Sequence, residues 1–304
     1  MKANEVGSMI AMQGFAGLSL FTVLLLMALG LAIIFGQMGV INMAHGEFMA
    51  IGAYVVYLFS QLTTNYFPSL ASVYFVPAVA AAFVVAAAAG YVVEKLLIRR
   101  LYKRPLDTLL ATWGLSLAMQ QGFRSIFGGK EVSAEQPEWL MGSFKPSDSI
   151  DIPRNGVFVM LLTTVVSTGV YLLLFRSRWG MRIRATTQNR LMSGAVGINT
   201  DRVDRFTFAL GCGIAGLAGA AFTTIGSISP TSGSLYIVDT FLVVVFGGAA
   251  NLAGTIASAF SIAQAQSLME FVLTSAMAKV LTLLAIVLIL MLRPQGLFVS
   301  RVRA

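Results

Sequence analysis

Charge is what this sequence has least of. Only 11% of its 304 residues are Asp, Glu, Lys or Arg, against 57% that are hydrophobic. A soluble domain carries about 25% charged residues. A chain this poor in charge cannot cover its own surface with polar groups, so it needs lipid around it. One cysteine, Cys212, lies inside an apolar run, which excludes an intrachain disulfide framework and a cysteine metal site. One histidine, His45, excludes a multi-histidine metal site. A Walker pattern is missing too: the only Gly-Lys pair is Gly129-Lys130, followed by Glu131. The histidine has no Gly-x-Ser-x-Gly elbow to serve, and no paired aspartates stand in the apolar runs. No metal, no cofactor and no enzymatic activity are expected.

The sequence does hold long apolar runs. They are continuous and do not alternate with period two, which favours helices over barrel strands. A helical crossing takes about 20 apolar residues. Crossings are expected at about 9–35, from the Gly-punctuated stretch 36–47 to Phe59, and at 73–93, 108–127, 157–175 and 207–227. Three more are expected at 236–249, 251–270 and 275–292, the first two broken at Gly247, Gly248, Asn251 and Gly254. The fold class is therefore all-α, a polytopic transmembrane bundle of about eight or nine spans, some discontinuous, in a single domain over 1–304. The first run, Gly17 to Phe35, is too long for a cleavable signal core and reads as a span.

The net charge of +8 is unevenly spread. Five of the 21 Lys and Arg lie in 94–107 (Lys95, Arg99, Arg100, Lys103, Arg104), seven in 176–206, and three (Arg293, Arg301, Arg303) after residue 292. Cationic loops between spans mark the cytoplasmic side and argue against nucleic acid as the partner. The polar segment 128–156 sets Lys130, Lys145 and Arg154 against Glu131, Glu135, Glu138, Asp148 and Asp151. It is net negative and is expected outside, as a periplasmic loop.

Three stretches stand out. In the first, Asn42, His45 and Glu47 sit between apolar runs with Gly36, Gly39 and Gly46 around them. An ionisable group at the bilayer centre costs roughly 2.5–3.5 kcal/mol on insertion scales, so such residues usually face a polar cavity or a partner. The alternative is a polar hairpin at the interface, with Glu47 supporting a helix start through its dipole. In the second, Arg182 to Asn199 reads as a short basic helix ending at Gly197 and a second helix entering the next span. It can seat in a soluble motor or be a plain cytoplasmic loop. In the third, Gly211, Ala215 and Gly219 form a small-residue ridge for close helix packing. Lys279, Glu270, Arg124 and Asp239 read as span-end markers. A short echo links Phe35-Gly36…Asn42 with Phe246-Gly247…Asn251; paired Gly-interrupted segments point to transporter sites.

At Gly39-Val40-Ile41-Asn42-Met43-Ala44-His45-Gly46-Glu47 the chain resembles the branched-chain amino-acid and urea group of ABC importer permeases. The resemblance continues at Ala111-Thr112-Trp113-Gly114-Leu115-Ser116-Leu117, Arg184-Ala185 through Gln188-Asn189-Arg190, Tyr236-Ile237-Val238-Asp239-Thr240-Phe241 and Arg293-Pro294-Gln295-Gly296-Leu297-Phe298, and covers nearly the whole chain. The Thr-Trp-Gly-Leu-Ser-Leu, Gln-Asn-Arg and Tyr-Ile-Val-Asp segments are more similar to the urea branch. The resemblance implies an inner-membrane permease that forms a path with a second, related permease and works with two ATP-binding subunits and a periplasmic solute-binding protein. Urea is then the expected solute, with branched-chain amino acids or short amides as the alternative and a stand-alone channel as another class. Path residues are expected among Asn42, His45, Glu47, Gly39, Gly46, Thr112, Trp113 and Asn251. ATPase coupling is expected at Arg184, Ala185, Gln188, Asn189, Arg190 and Gly197. The family's Glu-Ala-Ala-x-x-x-Gly pattern keeps Gly197 here, but Leu191-Met192-Ser193 replace its first three residues.

Overall fold

In lipid every backbone N–H and C=O must be satisfied within its own segment, so long apolar runs become helices. The computed structural model describes residues 3–102, 104–147, 150–248 and 251–292. Within them the helices are α1 (Ala3–Met38), α2 (His45–Tyr66), α3 (Phe75–Val93), α4 (Arg99–Leu101), α5 (Pro105–Phe127), α6 (Arg154–Arg176), α7 (Arg178–Gln188), α8 (Arg190–Ala195), α9 (Thr200–Phe222), α10 (Ser232–Gly247), α11 (Leu252–Val272) and α12 (Ser275–Leu292). A π-helical turn, Glu94–Ile98, joins α3 to α4. Five helices are long and apolar enough to cross a membrane on composition alone, and α10 is a shorter apolar helix. The Arg293 to Phe298 motif and the basic C-terminus lie outside the described residues, as does Lys103.

Three differences from the sequence expectation have a polar reason. The helix α2 runs to Tyr66 and not to Phe59. Its polar last turns are held by the 128–140 segment: Ser60 Oγ accepts from Glu135 N at 2.9 Å, and Thr64 donates to Glu135 Oε2 at 2.8 Å. The helix α9 begins at Thr200 and not near 207, because Asn199 caps it and its acids Asp201 and Asp204 find arginine partners. Within the polar 128–156 segment a short antiparallel pair, β1 (Ser143–Ser147) with β2 (Ile150–Pro153), adds the only strands among the described residues.

The core is a crossing of α1, α2, α3 and α9. Small residues let the backbones touch. A Cβ on Gly52 would fall on the Gly216 backbone, and one on Gly219 on the Met49 carbonyl. A Cβ on Gly211 would come within 2.7 Å of the Gly30 carbonyl of α1. The Gly211, Ala215 and Gly219 ridge thus packs as its spacing predicts. Near one end of the bundle lie Arg99, Arg190, Asp201 and Arg205, on or beside α4, α8 and α9. At the other end the 128–153 segment bridges the α2–α3 turn and the end of α9, through Val132 paired with Ile228 and Gln136 donating to the Thr224 carbonyl at 2.8 Å.

Candidate functional site

The first break in the helices builds the site. Gly39 closes α1 with a positive φ of 62° and gives its N–H to the Phe35 carbonyl at 2.9 Å, a left-handed helix cap that suits glycine. The chain then turns back into the bundle. Asn42 Oδ1 accepts from Ala44 N at 3.1 Å, and His45 opens α2 with its Nε2 3.2 Å from the Met27 carbonyl. Met27 lies eleven residues before the end of α1. At 1.5 Å per residue, the His45 ring therefore reaches about 16 Å inside that end. The N-terminus of α10 comes to the same place: Gly46 and Gly233 sit so close that a Cβ on either would strike the other's carbonyl. Two helix N-termini therefore converge in the interior.

Beside them runs a polar seam between α2 and α5. Glu47 is fully buried. Its Oε1 accepts from Ser116 Oγ at 2.9 Å and from Gln120 Nε2 at 2.8 Å, while its Oε2 has no hydrogen-bond partner. Thr112 Oγ1 accepts from Met43 N at 3.1 Å. Asn42 Nδ2 and the Tyr54 hydroxyl are likewise buried without partners. Glu47 lies in the first turn of α2 and makes no cap hydrogen bond there; its side chain reaches across to α5.

The structure sorts the expected path residues. Asn42, Glu47 and Thr112 come together, and Gly46 stands behind them. His45 is also buried, but it packs on Gly30 of α1, away from α5. Gly39 is an exposed turn residue. Trp113 is 54% exposed and points away from the seam. Asn251 caps α11, accepting from Gly254 N at 3.1 Å. The echo between the two breaks aligns at Gly39 and Gly248, both with positive φ and each three residues before an asparagine that takes a local N–H. Ser116, Gln120 and Gly233 were missed. The first two had a signal: Thr108, Thr112, Ser116 and Gln120 recur every four residues along one face of α5.

The coupling candidates also divide. Gln188 and Asn189 are exposed, and Asn189 caps α8 by accepting from Met192 N at 3.0 Å. Ala185 is half-buried. Arg184 folds back onto the Leu174 carbonyl and the Phe175 ring. Arg190 turns inward to Asp204 and lies 4.9 Å over the Tyr102 ring. Burial, and then the Asp204 charge, hold the Tyr102 hydroxyl above the usual phenol range. Gly197, at φ 86°, ends α8, with Ile198 N bonded to the Ser193 carbonyl at 3.0 Å. On and just after α8 large apolar side chains project outward beside the half-exposed Arg190: Leu191 is 89% exposed, Val196 71% and Met192 62%. Of the lone charges, Lys279 and Asp239 are paired at 2.8 Å between α12 and α10.

A bundle of broken helices with a buried polar seam and converging helix N-termini is the architecture of a membrane permease. The chain belongs to the family described as branched-chain amino acid transport system / permease component, which matches residues 14–292. It is similar to the high-affinity branched-chain amino acid transport system permease protein LivH of Salmonella typhimurium, 27% identical over 291 residues and 94% of each chain. It is similar to BraD of Pseudomonas aeruginosa, 27% identical over 287 residues, covering 92% of this chain and 93% of BraD. A probable LivH of Methanocaldococcus jannaschii is 25% identical over 308 residues, covering 97% and 93%. No solved structure matches. The chain is accordingly a multi-pass transport subunit of the inner (plasma) membrane.

Proposed function

We propose that the chain is the path-forming permease of an ATP-driven importer for branched-chain amino acids. It would work beside a second related permease, two ATP-binding subunits and a periplasmic solute-binding protein. The observation that carries this reading is the buried Glu47 carboxyl group, one oxygen unpartnered, where the N-termini of α2 and α10 converge. A zwitterion needs an acceptor for its ammonium group and a positive helix end for its carboxylate. Urea needs neither. The relatives described above carry amino acids, not urea, in their names, so the urea branch suggested by the short motifs gives way to the amino-acid one.

Uptake of labelled leucine, urea and a short amide, in cells with this chain deleted and then restored, tests the solute. Restoration of leucine uptake alone is expected; restoration of urea uptake alone would overturn the reading. Orientation is tested with a membrane-impermeant thiol reagent on Ser133→Cys and Gln188→Cys chains, both positions being exposed and Cys212 fully buried. The reagent should reach residue 133 from outside and residue 188 only after the membrane is opened. The reverse pattern would invert the topology.

A further inference from the structure

Arg190, one of the expected coupling residues, is half-exposed and at the same time ion-paired toward α9. It is the first residue of α8 and donates to Asp204 of α9, with Asp201 at 3.7 Å. Asp204 is 4% exposed, so this guanidinium is its principal counter-charge. Asp201 in turn pairs with Arg99 of α4. One turn further along α9, Arg205 binds Glu94 at 3.2 Å and Tyr91 Oη at 3.1 Å. Glu94 is buried and opens the π-helical turn that ends α3. Such turns are frequent at functional sites because they interrupt the regular ladder of hydrogen bonds. Ion pairs thus tie α8 to α9 and α9 to α4 through Arg190, Asp204, Asp201 and Arg99, and a separate pair, Arg205 with Glu94, ties α9 to the irregular end of α3. The large exposed apolar residues on and just after α8 are Leu191, Met192 and Val196.

We propose that Arg190 and Asp204 form the joint that carries movement of α8 into the transmembrane helices α9 and α3. This rests on the reading of 184–197 as the ATPase-coupling segment. The apolar tip of α8 is what the motor would push, and Arg190 is a positioning residue behind it. A bidentate-capable guanidinium on a buried carboxylate resists both shear and rotation, which a solvated lysine would not. Because α9 crosses α1, α2 and α3 through backbone contacts at Gly211, Gly216 and Gly219, a displacement at Asp204 is passed on and not absorbed by soft side chains.

The test uses the assembled transporter in liposomes with its binding protein. Uptake per ATP hydrolysed is compared for Asp204→Asn, Arg190→Lys and the exchanged pair Arg190→Asp/Asp204→Arg. Coupling free energies between sites usually correspond to factors of roughly 5–150, so uptake per ATP should fall about tenfold in Asp204→Asn. Arg190→Lys should lose less, and the exchanged pair should recover most of the loss. Should Asp204→Asn fail to reach the membrane, Arg190→Lys and the exchanged pair carry the comparison. In parallel, Leu191→Cys is cross-linked to the ATPase subunit. Cross-linking at normal yield with unchanged uptake per ATP in Asp204→Asn would overturn the joint and leave the docking segment standing. Absence of any cross-link from position 191 would overturn the docking segment, and the joint with it.

Discussion

The helices α9 and α5 are equal in length, 23 residues each, and the chain uses them in opposite ways. The first is buried on nearly every side, through glycines and alanines that bring the backbones of α1, α2 and α3 against it. The second buries only three residues, and all three carry hydroxyl groups: Thr108, Thr112 and Ser116. Dispersion contacts between backbones are numerous and non-directional, so α9 is held in place whatever its neighbours' rotamers. A few hydrogen bonds across a seam are directional and exchangeable with a polar solute or water. The two helices differ as a post differs from a wall: α9 sets the geometry, and α5 forms a polar side that the proposed function assigns to the solute path.

The largest effect should come from damage to the post. A Cβ on Gly219 already meets the Met49 carbonyl, which is backbone and cannot swing away. Overpacking typically costs about 1–3 kcal/mol and more where backbone must move. Gly219→Leu should therefore lower the thermal midpoint of the purified chain in detergent by about 5–10 °C, at the size scaling of a large domain. A wild-type midpoint would remove the distinction between the two helices.

Damage to the wall should spare stability and alter transport. Glu47→Gln keeps the shape of the side chain but removes the charge and makes one oxygen a donor. The Ser116 and Gln120 bonds both fall on Oε1, so the amide oxygen can keep both while the new NH2 group takes the place of the unpartnered Oε2. Losing a charge-assisted partner for a substrate ammonium group should cut uptake roughly 10–100-fold, the equivalent of about 1.5–3 kcal/mol. Asn42→Leu should be as severe, since it also frees Ala44 N. Wild-type uptake in both, at matched expression, would make the seam purely structural.

How far these roles could be read from the sequence depends on the range of the interaction. The apolar runs located the helices because burial in lipid is a local property of each run. The stretch from Gly39 to Glu47 was legible because ionisable residues among glycines have few other uses there. The partners of Glu47 were not, because Ser116 and Gln120 lie 69 and 73 residues away. The last turns of α2 and the first of α9 looked like loop for the same reason: hydropathy cannot register that Thr64 meets Glu135, or that Asp204 meets Arg190. The pairing of Arg190 with the buried Asp204 is the plainest case, since a basic residue in a basic loop shows no partner until its acid is located.

The finest division of the comparison falls between two adjacent residues of α5. Thr112 faces the seam, fully buried, and its Oγ1 accepts the Met43 N–H at 3.1 Å while donating to the Leu109 carbonyl. Trp113 faces outward and is 54% exposed. Thr112→Val keeps the volume but leaves the Met43 N–H unpaired in the interior, at about 1–3 kcal/mol. Part of that is recovered if a water enters the seam, so uptake should fall several-fold with a small drop in thermal midpoint. Trp113→Ala removes a large ring that this chain alone does not cover, so the midpoint of the isolated chain should move by less than about 1 kcal/mol equivalent. Its effect should instead appear in the amount of second permease retained on purification, because an exposed indole on a membrane helix is a natural anchor for a partner. A stability loss in Trp113→Ala as large as that in Thr112→Val would mean that α5 is packed on both faces within the chain, and the wall would be a second post.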